Sequence, residues 1–152
     1  MNRDIFDKIM GLPVLRRFYK PYEKHKEVLL YIFFGGLATV VSISTFLLFD
    51  WVMNELIANA LSWIITVGFA YWTNRTWVFR SQVRGKGIWK EMTTFYTGRL
   101  ATLTLEELIL LVFVTILAWN SAAVKIAAQI VVLVGNYIIS KLLIFKKTSG
   151  AS

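Results

Sequence analysis

Four apolar runs, each long enough to cross a bilayer, leave this chain few ways to fold. They cover about Val28 to Met53, Leu56 to Phe79, Met92 to Trp119 and Ala122 to Phe145. A spanning helix needs roughly 20 predominantly apolar residues. Inside lipid the backbone must satisfy its own hydrogen bonds, so such runs fold as helices. A content of 57% hydrophobic residues in 152 is too high for an ordinary soluble domain of this size. The expected fold class is therefore all-α integral membrane, with four transmembrane helices. The first run is too long for a signal-peptide core and lacks a clear small-residue cleavage site after it, so it is expected to remain as a span.

The net charge of +8 is concentrated where it orients the chain. Seven of the 17 lysines and arginines precede the first run: Arg3, Lys8, Arg16, Arg17, Lys20, Lys24 and Lys26. Arg80, Arg84, Lys86 and Lys90 fall between the second and third runs, and Lys146 and Lys147 follow the fourth. The other two connections carry Asp50, Asn54, Glu55 and Asn120 with no basic residue. The positive-inside bias then predicts cytoplasmic termini and a cytoplasmic central loop. This distribution argues for membrane lipids and against nucleic acid as the partner of the positive charge.

Three regions follow. Residues 1–27 form a basic arm in which Ile5, Phe6, Ile9 and Met10, then Val14, Leu15 and Phe18, recur at helical spacing around Pro13. That pattern suits either an amphipathic helix on the inner membrane surface or a loosely ordered basic tail. Residues 28–147 form the four-helix membrane domain, and 148–152 a short tail. The first span presents Gly35, Gly36, Ala38, Thr39, Ser42 and Ser44, a small-residue face expected to pack closely against another helix.

The two halves repeat each other. Gly35-Gly36-Leu37-Ala38-Thr39 aligns with Gly98-Arg99-Leu100-Ala101-Thr102, and Tyr71, Arg75 and Phe79 align with Tyr137, Lys141 and Phe145. This predicts two tandem helical hairpins, a parallel pseudo-repeat whose axis runs along the membrane normal, with a substrate path between the halves.

Ionisable groups inside hydrocarbon cost roughly 2.5–3.5 kcal/mol each at mid-helix and face protein or water by default. Arg75 and Lys141 sit near the cytoplasmic boundary, where interface anchoring by snorkelling competes with a binding role. Arg99 lies deeper, on nearly the same face as Thr102 and Glu106. Glu106 and Glu107 fall near the middle of the third span, where a salt bridge to Arg99 or to a neighbouring helix competes with a polar lining or a proton-coupled role. Lys125 is the single cation in the outer half of the spans, an anchor or an anion site. Asn74 and Asn136 can bond between helices. With Arg75 and Arg99 they would form a donor-rich cytoplasmic pocket suited to phosphate.

At these residues the chain resembles the GtrA-like family, small four-span proteins of bacterial cell-envelope glycosylation. The resemblance runs from about Val28 to Lys146. It rests on the Gly-Gly-Leu-Ala-Thr run and on Ala70 with Asn74-Arg75-Thr76-Trp77-Val78-Phe79. Phe95 with Arg99, Lys125, Asn136-Tyr137, Ser140-Lys141 and Phe145 complete it. It implies a multi-pass protein of the bacterial cytoplasmic membrane. Its role would be to flip a polyprenyl-phosphate-linked sugar, typically undecaprenyl phosphate carrying a hexose, to the outer leaflet. There glycosyltransferases use it on teichoic acid or a related polymer.

Asn74, Arg75, Arg99, Lys125, Asn136 and Glu106 are the expected substrate-binding residues, and Ala70, Val78, Phe79, Phe95, Tyr137 and Lys141 the expected gate or packing residues. Two other readings belong to different classes: a membrane scaffold that recruits a glycosyltransferase through the basic loop and arm, and a small multidrug-type exporter using the mid-membrane glutamates. With no cysteine, a single histidine (His25) and no phosphate-binding glycine loop, no metal, cofactor or enzymatic chemistry is expected. The small-residue face of the first span could also pair two copies as a homo-oligomer.

Overall fold

In the computed structural model, residues 5–10 and 19–145 are described, and every regular element among them is helical. The second apolar face expected at Val14, Leu15 and Phe18, and the tail from Lys146 onward, lie outside the described residues. A short helix α1 (Ile5–Met10) is followed by α2 (Tyr19–Asp50), α3 (Glu55–Thr73), α4 (Gly87–Leu110) and α5 (Ser121–Ile139). Helix α2 starts well before the apolar run, with Pro21 in its first turn, where a missing N–H breaks no helical bond.

Three helical segments are long and apolar enough to cross a membrane: Tyr19–Asp50, Glu55–Val78 and Ala123–Ile144. The helix that begins at Gly87 has comparable length but carries Lys90, Glu91, Arg99, Glu106 and Glu107, which lower its mean hydropathy.

Helices α2 and α3 form one hairpin, α4 and α5 the other, and each pair packs along its length. Both hairpin turns end on an asparagine cap. Asn54 Oδ1 accepts from the backbone N–H of Ile57 at 3.0 Å, and Asn120 Oδ1 from that of Ala123 at 3.0 Å. Each satisfies one of the orphan donors of a helix start.

At the opposite end both hairpins finish in a wide π-helical turn, Asn74–Val78 after α3 and Ser140–Ile144 after α5. The N–H of Phe79 reaches Asn74 O, and that of Phe145 reaches Ser140 O, both at 2.8 Å. In a regular α-helix Phe79 would point about 80° away from Tyr71. The wider turn delays the rotation and brings both rings onto one side. Both then meet Phe145, at centroid distances of 6.1 Å from Tyr71 and 5.0 Å from Phe79.

The contacts between hairpins are reciprocal. Tyr71 packs on Phe95 and Tyr137 on Tyr31. Tyr71 meets Phe145 and Tyr137 meets Phe79, both at 6.1 Å. This pairs Tyr31 with Phe95, and so Gly35 with Arg99 and Ala38 with Thr102. That register is one residue out of step with the alignment of the two Leu-Ala-Thr strings. Burial explains the difference: Ala38 and Thr102 are the buried members of their helices here, whereas Thr39 and Ala101 are exposed.

The small-residue face of α2 meets expectation at Ser42, whose carbonyl accepts from Ser62 Oγ of α3 at 2.7 Å, and departs from it at the two glycines. A Cβ added at Gly35 or Gly36 would meet nothing within 4 Å. These glycines leave room rather than bring helices together. Close approach occurs instead at Gly98, where a Cβ would lie 3.1 Å from Ile139 Cγ2.

Candidate functional site

The room left by those glycines is part of a cavity of about 480 Å³ between the two hairpins, within the roughly 300–1,000 Å³ of small-molecule sites. Gly35, Gly36, Ala38 and Thr39 of α2 line it, with Thr66, Ala70 and Asn74 of the second run facing them. Arg99 of α4 and Gln129 and Asn136 of α5 supply the other half. Because Gly35 of the first repeat corresponds to Arg99 of the second, one half contributes space and the other a guanidinium.

Arg99 lies over the Phe95 ring, 4.8 Å from its centroid, an arrangement that favours a cation electrostatically. Among the described residues it has no ion-pair partner. Asn74 is 3% exposed; its amide donates to Ala70 O at 2.7 Å, and its Oδ1 finds no hydrogen-bond partner. Thr66 Oγ1 is likewise buried and without a partner. Such groups cost roughly 1–3 kcal/mol each when left unsatisfied. The cavity therefore joins a cation without a counter-ion to two idle oxygens.

A second network closes the far side of the α4–α5 hairpin. Glu106 accepts from Lys125 Nζ at 2.5 Å and from Gln129 Nε2 at 2.7 Å. Its partner is thus on the neighbouring helix, not Arg99. Thr102 donates to Asn136 Oδ1 at 2.8 Å, which holds that amide against the cavity wall. Glu107 is exposed.

At the basic end, two reciprocal clasps join the hairpins. Arg75 pairs with Glu91, and Tyr71 donates to the same carboxylate at 3.0 Å. Lys141 pairs with Glu27 at 2.8 Å, and Tyr137 donates to that carboxylate at 2.7 Å. In each clasp the cation and the tyrosine come from the second helix of one hairpin and the glutamate from the first helix of the other. The two differ in burial. The Arg75 and Glu91 side chains are 18% and 3% exposed, those of Lys141 and Glu27 48% and 34%. Arg75 also donates to Val83 O and to Ser81 Oγ, and Ser81 donates to Glu91, so the loop after the second run is tied into the first clasp.

Of the residues singled out in sequence, Asn74, Arg99, Asn136 and Ala70 meet at the cavity. Lys125 and Glu106 meet each other. Arg75 and Lys141 are held in the clasps. Val78, Phe79 and Phe95 are buried, at 6%, 6% and 1% exposure, in one aromatic-rich core cluster, against which Tyr137 packs. Sequence reasoning missed Glu27, Glu91, Thr66 and Gln129. The glutamates could have been found: each lies four residues before an aromatic, Tyr31 or Phe95, just as each clasp cation lies four residues after a tyrosine.

Fold and site together define a helical membrane protein with a largely apolar cavity between paired hairpins, into which a few polar groups converge. The family described as "GtrA/DPMS, transmembrane domain" matches residues 30–145, and the chain belongs to that family. It is 36% identical over 126 residues to the cell wall teichoic acid glycosylation protein GtcA of Listeria monocytogenes serovar 1/2a, covering 79% of this chain and 85% of that one. It is 34% identical over 126 residues to GtcA of Listeria innocua serovar 6a, with the same coverages. It is also 34% identical over 122 residues to the uncharacterized membrane protein YwcD of Bacillus subtilis strain 168, covering 78% and 96%. No solved structure matches.

Proposed function

We propose that this protein moves a polyprenyl-phosphate-linked monosaccharide across the bacterial cytoplasmic membrane for glycosylation of a cell-wall polymer such as teichoic acid. The observation that carries the reading is the joining, in one cavity, of Arg99, which has no counter-ion among the described residues, to the unpartnered oxygens of Asn74 and Thr66. A guanidinium supplies charge and directed donors to a phosphodiester. A free amide oxygen and a hydroxyl accept from sugar hydroxyls. The polyprenyl tail stays in lipid while the sugar passes between the hairpins. The teichoic acid glycosylation named for the Listeria relatives agrees with a lipid-linked sugar donor used outside the cell.

On this reading the helix from Gly87 is the fourth span. Its buried Glu106 is supported by Lys125 and Gln129 of α5, and its buried Thr102 by Asn136, instead of facing lipid alone. The end that exposes Lys20, Lys24, Arg80, Arg84, Lys86 and Lys90 is cytoplasmic by the positive-inside bias. Engagement of Glu106 by Lys125 weighs against a cation exporter, which would need that carboxylate for its substrate.

The test is glycosylation of the wall polymer in cells whose own copy is replaced by Arg99→Ala or Lys125→Ala. Loss of the sugar with normal membrane abundance is expected. Wild-type glycosylation in both variants would contradict the reading, and loss only on neutralising Arg80, Arg84 and Lys86 would favour a scaffold for a glycosyltransferase.

A further inference from the structure

We propose that Glu27 and Glu91 are the two catches of a gate at the basic end. The lipid phosphate itself opens it, by replacing each carboxylate on its cation. The inference rests on the translocation reading and concerns how the same cavity is reached.

Three observations carry it. First, the clasps run across the hairpins and not within them: Glu91 of α4 holds Tyr71 and Arg75 of the first hairpin, and Glu27 of α2 holds Tyr137 and Lys141 of the second. Releasing both glutamates removes the ion pairs between the hairpins at this end and, among the described residues, leaves only the longer 3.3 Å bond from Tyr71 to Ile88 O.

Second, the clasp tyrosines belong to the aromatic layer that fills the gap. Tyr71 touches Phe95 and Phe145, Tyr137 touches Tyr31 and Phe79, and Phe79 stacks on Phe145. Phe95 in turn carries the Arg99 guanidinium of the cavity. Clasps and cavity are therefore the two faces of one aromatic plug. A ligand arriving from the basic end meets Arg75 and Lys141 before it meets Arg99.

Third, both cations are paired with carboxylates, and a phosphate offers the same kind of anionic oxygen pair to a guanidinium or an ammonium. Exchange of one anion for another lets the gate open without stranding either cation in a low-dielectric place. Arg75 thus serves the closed state through Glu91 and the entering phosphate once Glu91 has let go. The more exposed Lys141–Glu27 clasp exchanges first, because water already reaches it.

The chain contains no cysteine, so spin labels at Lys24→Cys and Lys90→Cys, both exposed and on different hairpins, report the gate directly in nanodiscs of the full chain. Wild type is expected to give one short distance. Glu27→Gln with Glu91→Gln is expected to add a longer-distance population, and farnesyl phosphate, but not farnesol, is expected to produce the same population in wild type. Exchanging the charges of the buried clasp, Arg75→Glu with Glu91→Arg, should return the short distance and separates release from misfolding.

A double-glutamine variant that folds and keeps the wild-type distance would overturn the proposal. So would a wild type in which farnesyl phosphate and farnesol act alike, or one opened equally by inorganic phosphate. The distances need no transport. A gate that responds in a protein that transfers no lipid-linked sugar would sink the translocase reading alone, and transfer with an unresponsive gate would sink the gate alone.

Discussion

Phe79 and Phe145 stack with ring centroids 5.0 Å apart and planes inclined by 15°. Each closes a π-helical turn at the end of its hairpin, so the stack is where the two repeats touch on their common axis. An offset-stacked pair is worth about 0.5–1.5 kcal/mol beyond its area. Phe79→Ala and Phe145→Ala should each lower stability in detergent denaturation. The double variant should cost less than their sum by that coupling. Additive losses would mean that the rings do not act as a pair.

The two clasps should differ in weight. Glu91→Gln leaves Arg75 with little water, and a loss toward the low end of the about 3–5 kcal/mol for a broken buried pair is expected. Glu27→Gln removes a partner that is a third exposed from a half-exposed lysine and should cost about 0–1 kcal/mol. Equal shifts in melting temperature would contradict the burial difference between them.

Glu106 and Lys125 give a test that separates stability from function. Lys125→Met leaves the carboxylate with Gln129 alone and should destabilise the helical pair. Replacing both with leucine should recover stability relative to the single variant, because no uncompensated carboxylate is then left between the helices. Wall-polymer glycosylation should be lost in both. Recovery of glycosylation in the double leucine variant would reduce the pair to a structural role.

Asn74→Asp is nearly isosteric but brings a negative charge into the cavity that holds Arg99. The new carboxylate competes with a phosphate for the guanidinium. Glycosylation is expected to fall at least about tenfold, which a differential of about 1.4 kcal/mol already gives, and is read per molecule in the membrane because the variant also loses the amide's bond to Ala70 O. Unchanged glycosylation in this variant would remove phosphate from the account of the cavity.

The helical character and the pairing of the halves were legible because apolar run length and repeated strings at Tyr71 and Tyr137 are properties of local sequence. The meeting of Asn74, Arg99 and Asn136 followed from their depth, since each is costly in lipid and so turns inward. What local sequence could not yield is which cation meets which anion. Arg75 finds Glu91 across the hairpins, and Glu106 finds Lys125 instead of the Arg99 on its own helical face. Both pairings depend on how helices cross. The glycines of α2 misled for a related reason. Gly35 and Gly36 suit close packing and an empty wall equally well, and only the neighbouring helix decides between them. The one-residue shift in repeat register likewise arises from burial of Ala38 and Thr102, which string identity does not weigh.

Transfer of a labelled polyprenyl-phosphate hexose between the leaflets of proteoliposomes tests the central claim most directly, with wild type compared with Arg99→Ala and Arg99→Lys. Fast transfer by wild type, loss in Arg99→Ala and partial retention in Arg99→Lys are expected, because lysine keeps the charge without the guanidinium's paired donors. Transfer by Arg99→Ala at the wild-type rate, or none by folded wild type, would contradict a phosphate-binding cavity that carries the sugar across.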